Sequence, residues 1–437
     1  MGSNSEARHT RDIGSIWSAV TAPGPECPPL EGTVDVDAVV IGAGFTGLST
    51  ALHLRKAGIE VALLEAAEPG WGGSGRNNGQ VIPTLSRPDP DDLVARYGAP
   101  GERFVALLRD CASVLFGVIA EHGIAAEAEQ TGWVQPVHSP GRIKIAERRY
   151  RQWQAYGAPV ELLDAAAARR MTGSDAWHGG FWNRTGGHIN PLALARGLVR
   201  TVQGLGATLY CQTPALRFER QGSRWLVHTP AGLVRARALM LATNAYTDAF
   251  STELAPRVAH QVVPVVSWQM ATQPLSEAAR AVVIPARQAL SDTHGELYFA
   301  RYDARNRLVT GGNLLIPVNE RERLCRYVGE RLRRLWPVLD EVQFDYVWNG
   351  NVGMTDDFLP RFHKLGPDAW AWAGCNGRAV GLSMALGREF ARAMTGVPDD
   401  QLALPFTDPK PLPLRNLARR IAPVMLLRYR RLDRKEI

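Results

Sequence analysis

Short apolar runs ending in glycine alternate along this chain with stretches of helical period, and their order predicts an α/β protein. Residues 37–41 carry no charge after Asp37 and run directly into Gly42, as a strand buried on both faces does. Over 47–57 the period changes: Leu48, Ala51, Leu52 and Leu54 recur at helical spacing, and Gly58 is placed to end the helix. The next strand is expected at 60–64. Helical patterns dominate 91–121, a strand is expected at 133–137, and a helix over 142–156. Residues 191–205 read as a helix with Pro191 in its first turn. Strands are expected at 207–211, 224–228 and 238–242, and alternating patterns recur over 261–271 and 297–311. A last strand at 369–373 leads through a glycine-rich turn into a helix over 380–394. Residues 13–34, with Pro23, Pro25, Pro28 and Pro29, read as an extended arm. The α/β pattern at both ends, with a strand-rich stretch between, predicts a Rossmann-type nucleotide domain assembled from separated segments.

Length changes the picture by requiring more than one core: 437 residues favour two or three units. Composition is that of a soluble globular protein, 45% hydrophobic and 21% charged. Five scattered cysteines without a C-x-x-C pair exclude a disulfide framework and a structural zinc site, and no metal is expected; they fit a reducing cytoplasm. Arg8 and Arg11 lead into Trp17 and prolines rather than an apolar signal region, and no run reaches the roughly 18 apolar residues of a membrane span. The expected location is cytoplasmic.

The net charge of +7 is concentrated at the end of the chain. Residues 412–437 hold eight basic residues against Asp433 and Glu436, a local balance of +6, and leave the rest near neutral. Leu417, Ile421, Met425, Leu426 and Leu427 are interleaved, so an amphipathic basic segment broken near Pro423 is expected. It is either a contact for a membrane surface or acidic partner, or, the simpler reading, a terminal helix packed on the protein with its arginines solvated. Nothing resembles a nucleic-acid motif.

Chemistry enters at Gly42-Ala43-Gly44-Phe45-Thr46-Gly47, which follows a strand, opens a helix, and precedes an acidic strand end, Glu65, 18 positions past Gly47. That context specifies a dinucleotide site. Gly42 permits the tight turn, Gly44 lets backbone approach a pyrophosphate, and Gly47 lets helix and strand pack closely. The helix N-terminus offers N–H groups and partial positive charge to the anion. Glu65, followed by Ala66, would accept from ribose hydroxyls and repel a 2′-phosphate, which disfavours NADP. A flexible run follows, Gly72-Gly73-Ser74-Gly75-Arg76-Asn77-Asn78-Gly79-Gln80, where an NAD domain would continue into a plain helix–strand unit. Ser74, Arg76, Asn77, Gly79 and Gln80 suit FAD, which extends past its pyrophosphate; the alternative is a surface loop with a solvated arginine.

These motifs, with the C-terminal turn 374–378, resemble the FAD-dependent D-amino-acid oxidase superfamily, and within it the gamma-glutamylputrescine oxidase-like branch. The likeness runs from about Trp17 to Met394, with Asn78 standing where glycine is more usual. It implies a discontinuous FAD domain (35–85, 186–256 and 350–410) and a substrate domain (86–185 and 257–349) whose mixed or antiparallel sheet covers the flavin. An arm (1–34) precedes them and a basic tail (411–437) follows. Thr213-Pro214-Ala215 resembles the segment passing the adenine, with Ala215 in contact. Thr243 and Asn244 resemble the strand end that approaches the cofactor. Asn376, Gly377 and Arg378 resemble the loop beside the flavin pyrimidine, where a helix N-terminus would stabilise negative charge by up to about 2 kcal/mol; Arg378 either adds to this or is a solvated helix-start residue. Some relatives hold the flavin through a cysteine; none occurs over 349–357, and Cys375 lies where tyrosine or phenylalanine is frequent, so FAD is expected to be non-covalent.

The resemblance implies oxidation of a C–N bond in a small amine or amino-acid-like substrate: hydride passes from carbon to flavin N5, the imine hydrolyses, and O2 is the expected acceptor. Trp268, Tyr298, Arg301 and Trp348 are candidates for the substrate pocket; each is alternatively a core residue, with Arg301 paired to a carboxylate. Amino-acid oxidases carry an arginine near the position of Asn351 or Val352, and its absence leans towards an amine or N-substituted substrate. His188 is read as structural, at a helix entry. Two other functions stay open: a dehydrogenase passing electrons to a quinone or carrier protein, and a flavin-binding protein without turnover.

Overall fold

The computed structural model describes residues 14–314 and 318–436, so the first thirteen residues of the expected arm lie outside the described residues. Two eight-stranded sheets organise it. The first runs in the order Arg361–Gly366, Ala369–Ala373, Gly232–Leu241, Gly32–Ile41, Val61–Leu64, Thr208–Tyr210, with a side ribbon of Arg217–Gln221 and Arg224–His228. The five strands from Ala369–Ala373 to Thr208–Tyr210 pair in parallel. Ala38 and Val40 face one core while Val39 and Ile41 face another, which is why their strand is a continuous apolar run rather than an alternating one. The helix Phe45–Lys56 packs on one face beside the helix Val380–Met394, although over 300 residues separate them.

The second sheet runs in the order Phe344–Met354, Val263–Pro274, Arg307–Gly312, Phe299–Tyr302, Ala289–Ser291, Trp133–Pro136, Gly180–Asn183, Val160–Leu163, antiparallel except where Ala289–Ser291 meets Trp133–Pro136. Its outer face packs against the helix Glu320–Leu335 through Leu324, Val328 and Leu332.

Several expected elements differ in detail. The helical stretch at 91–121 is two helices, Pro90–Tyr97 and Ala99–Glu121, because Gly98 takes φ 61° between them. The strand pattern at 297–311 is a hairpin, turned at Asn306 with φ 61°. The domain boundary at 349/350 falls inside the strand Phe344–Met354, which stays in the second sheet throughout. The arm is not wholly extended: Ile16–Val20 forms a helical turn capped by Ser15, and Trp17 is fully buried. The terminal helix Arg415–Lys435 continues through position 423, since a proline in a helix forfeits one hydrogen bond and bends the axis without having to end it.

Candidate active site

The glycine turn closes by contact rather than by side-chain bonding. Gly42 takes φ 102°, and a Cβ on Gly47 would lie 1.9 Å from the Gly42 carbonyl oxygen. Only a glycine at 47 lets the helix Phe45–Lys56 approach the strand so closely. Gly44 is the N-cap of that helix and has no side chain to satisfy it; the Phe45 N–H instead donates to Ser74 Oγ at 3.0 Å. Glu65 accepts from the Ala43 N–H at 2.8 Å and the Ala67 N–H at 3.0 Å. Burial raises its carboxyl, and backbone N–H groups of Ala67, Ala43 and Ala66 oppose the shift. The two carboxylate oxygens offer about four lone-pair sites against these three N–H groups, which leaves room for a ligand hydroxyl.

From this turn one cavity runs to the second sheet. Gly42, Gly44, Phe45, Thr46, Glu65, Ala66, Ser74, Arg76, Asn77, Gln80, Ala215, Thr243, Asn244, Gly377 and Arg378 all border it. Ala43, Gly47, Gly79 and Asn376 do not, and shape its walls from behind. A Cβ on Gly79 would strike the Ile189 carbonyl at 2.1 Å. Asn376 binds Thr355 through its Oδ1 at 2.9 Å and the Gly374 carbonyl through its Nδ2 at 2.9 Å, which shapes the C-terminal turn.

The run 70–80 is a built wall rather than a surface loop. Gly73–Arg76 forms one helical turn, and Asn77 Nδ2 donates to the carbonyls of Gly73 and Ser74 while its Oδ1 receives the Gly79 N–H. Arg76 lies 4.4 Å over the Trp71 ring and donates to the Trp71 carbonyl. Trp71 meets Tyr246 and Phe250 edge-on at 5.5 and 5.7 Å, and the Tyr246 hydroxyl receives the Asn351 N–H at 2.9 Å. All three aromatics border the cavity. Their sequence signal was one tryptophan flanked by Gly70 and Gly72.

The four expected pocket residues stand elsewhere. Arg301 is buried and donates to three carbonyls, those of Asn78 (2.6 Å), Tyr302 (2.7 Å) and Ile189 (2.8 Å), with its guanidinium 4.5 Å over Trp17. It clamps the 77–79 segment from beneath and, among the described residues, pairs with no carboxylate. Burial lowers it to about 10, which leaves it charged at neutral pH. Trp348 donates to the Arg76 carbonyl at 2.8 Å and meets Trp17 edge-on, so it too is a support. Trp268 and Tyr298 pack on the outer face, against the core covered by the helix Glu320–Leu335. The cavity is bordered instead by their neighbours Ser267 and Gln269, Leu297 and Phe299, and by Gly350, Asn351 and Val352. Strand residues alternate faces, so a shift of one position exchanges every side chain.

Arg378 is buried, not solvated. It donates to Thr84 Oγ1 at 2.9 Å and lies 4.8 Å over Trp133. Burial and the neighbouring Arg149 push it well below its ordinary value. Asp89, the carboxylate facing it, is paired to Arg148 and Arg149. The cavity wall thus carries a cation that a bound anionic group would relieve. Cys375 contacts the Gly353 carbonyl at 3.8 Å and stays a free thiol.

His188 pairs in a small ribbon with Gln80, and its Nε2 bonds the Arg287 carbonyl at 3.0 Å. Asn190, two residues on, caps the following helix. Burial holds His188 well below its ordinary value and lowers His53 and His138 to about 4. Their unfolded values sit near 6.5. The unfolded chain therefore takes up protons first as pH falls, so stability is full above about 6.5 and is lost progressively towards 4. We expect the Tm to drop between pH 7 and pH 5 as these buried imidazoles are forced to take up protons. A Tm unchanged over that range would refute the assignment.

A family model described as DAO, FAD dependent oxidoreductase, matches residues 37–393. Gamma-glutamylputrescine oxidoreductase of Escherichia coli is 32% identical over 378 residues, covering 84% of this chain and 85% of that one. Glycine oxidase from Geobacillus kaustophilus superposes with a TM-score of 0.69 at 19% identity, covering 83% of this chain and 95% of its own. L-proline dehydrogenase from P. horikoshii does so with a TM-score of 0.72 at 19% identity, covering 86% and 98%. The superpositions establish the fold; the glycine turn, Glu65 and the long cavity fit the cofactor. With the family match spanning most of its length, this chain belongs to the DAO family of FAD-dependent oxidoreductases.

Proposed function

We propose that the protein oxidises a C–N bond of a small amine or N-substituted amino compound, with non-covalent FAD along the cavity and O2 as acceptor. FAD, when bound, supplies the two-electron oxidation of the carbon beside nitrogen, and the imine product hydrolyses in water. Gly42, Gly44 and the N-terminus of the helix Phe45–Lys56 hold the diphosphate, backed by Ser74 and Arg76. Glu65 and Ala66 take the ribose, and Ala215 lies by the adenine. Thr243, Asn244, Gly377 and Arg378 serve the flavin end, where Arg378 balances negative charge.

One observation carries the substrate class. At the second-sheet end, Gln80 and Gln269 are buried, border the cavity, and keep their Oε1 atoms without a partner. Gln80 Nε2 is fixed on the Leu290 carbonyl at 2.9 Å, and Gln269 Nε2 on Ser267 Oγ at 3.0 Å. Buried unpaired acceptors select a donor such as an amine N–H. Being uncharged, they do not favour the ammonium as a carboxylate would, so the amine can lose its proton before oxidation. Positions 351 and 352 are Asn and Val, which supports an amine over a simple α-amino acid. Leu297 and Phe299 keep water out.

The test is anaerobic bleaching of the bound flavin by polyamines, N-methyl amines and D-amino acids. We expect an amine to bleach it, at a rate that rises with pH until the substrate ammonium is lost and shows no histidine inflection near neutrality. Failure of every amine would sink the reading. A dehydrogenase is the second reading, favoured by the exposed apolar and basic face of the helix Arg415–Lys435; slow reoxidation in air would select it. Five free thiols support a cytoplasmic location.

A further inference from the structure

Among the described residues, the helix Arg415–Lys435 packs on the protein through the face that carries Arg415, Leu426, Arg430 and Asp433. Arg415 donates to the Val262 carbonyl at 2.8 Å and pairs with Asp248 at 2.7 Å. Leu426 is buried. Arg430 holds Glu296 with two bonds of 2.6 and 3.0 Å, and Asp433 accepts the Gly295 N–H at 2.9 Å. This end of the helix thus fixes residues 295–296, next to Leu297 in the cavity wall.

The opposite face carries a row of exposed apolar side chains. Leu417, Ile421, Val424, Met425 and Leu432 are each at least 40% exposed, and Leu414 is 74% exposed. At 3.6 residues per turn they fall within an arc of roughly 100°. Arg428, Arg431 and Lys435 are exposed in or beside that arc. An apolar stripe of this kind is not left in water without a partner, and the charges decide which. Two copies meeting stripe to stripe would set these cations against one another. Lipid phosphates would neutralise them, while the long basic side chains reach past the apolar layer to the headgroups. Among the described residues no helix is long and apolar enough to cross a membrane, so the fitting arrangement is a helix lying in the interface.

We propose that the helix Arg415–Lys435 seats the protein on an anionic bilayer surface, with its apolar stripe among the upper acyl carbons and its cations on phosphates. The cavity's second-sheet end then sits beside that surface. The inference holds whichever amine is oxidised.

Sedimentation of the full-length, FAD-loaded protein tests it, with vesicles of phosphatidylglycerol and phosphatidylcholine in equal parts against phosphatidylcholine alone. The protein is expected to pellet with the anionic vesicles only, and less at high salt. The double variant Ile421→Asp, Val424→Asp should lose binding while keeping its Tm and flavin content, because both side chains are exposed. Arg428→Gln with Arg431→Gln should weaken binding about 30-fold, at about 1 kcal/mol per basic residue near the surface. The proposal is overturned if the wild type ignores anionic vesicles, if it binds neutral ones equally, or if the Asp variant still binds. Light scattering that finds a dimer dissociated by the same Asp variant would also overturn it, and would make the face a contact between copies.

Discussion

Gly47→Ala protein is expected to purify colourless, with FAD affinity lowered at least a hundredfold. The added methyl would sit 1.9 Å from the Gly42 carbonyl oxygen, a backbone atom that no rotamer change can move. Helix and strand must separate, and the N-terminal N–H groups then leave the place where Gly44 and Ser74 present them. Overpacking of this kind costs about 3 kcal/mol or more, which is over a hundredfold in binding if it falls on the cofactor-bound geometry. Absorbance at flavin wavelengths after dialysis against excess FAD measures it. A yellow Gly47→Ala protein with ordinary affinity would mean that the turn does not hold the diphosphate.

Arg301→Met should cost about 4 kcal/mol of stability and loosen FAD, even though Arg301 does not border the cavity. Its guanidinium serves the carbonyls of Asn78, Ile189 and Tyr302 together. Methionine fills the space and bonds none of them, and each buried carbonyl left without a donor costs about 1–3 kcal/mol. Asn78 lies in the wall segment that carries Ser74, Arg76 and Asn77, so cofactor affinity should fall alongside Tm. Arg301→Lys should restore only part, because one ammonium cannot meet three diverging acceptors as the planar fork does. Unchanged Tm and unchanged FAD affinity in Arg301→Met would remove Arg301 from this role.

What was legible in the sequence was whatever the backbone itself demands. Gly42, Gly44 and Gly47 answer local needs for a turn, an approach and a close contact, and the order strand, glycines, helix, acidic strand end has few other uses. The first sheet was readable because strands buried on both faces are continuous apolar runs. The same property hid the cavity's side chains. Over 269–272 and on the strand Phe299–Tyr302 both faces are buried, so no polar alternation marks which parity looks inward. The large aromatics Trp268 and Tyr298 drew the assignment, while Ser267, Gln269, Leu297 and Phe299 hold the wall. The helix Glu320–Leu335 was obscured by its many charges, although Leu324, Val328, Leu332 and Leu335 recur at helical spacing. Arg301 was misread for want of a visible partner: three backbone carbonyls leave no trace in composition.

The parallel pairing of Ala369–Ala373 with Gly232–Leu241 also sets when the enzyme acquires its colour. That strand leads into the turn 374–378, which borders the cavity, yet it is synthesised more than 300 residues after the glycine turn at 42–47. A nascent chain has one wall of the cavity long before the other, so pigment uptake waits until this last parallel strand has joined the sheet. The yield of coloured enzyme should therefore follow how long the unloaded chain survives in the cell, more than how fast it is made.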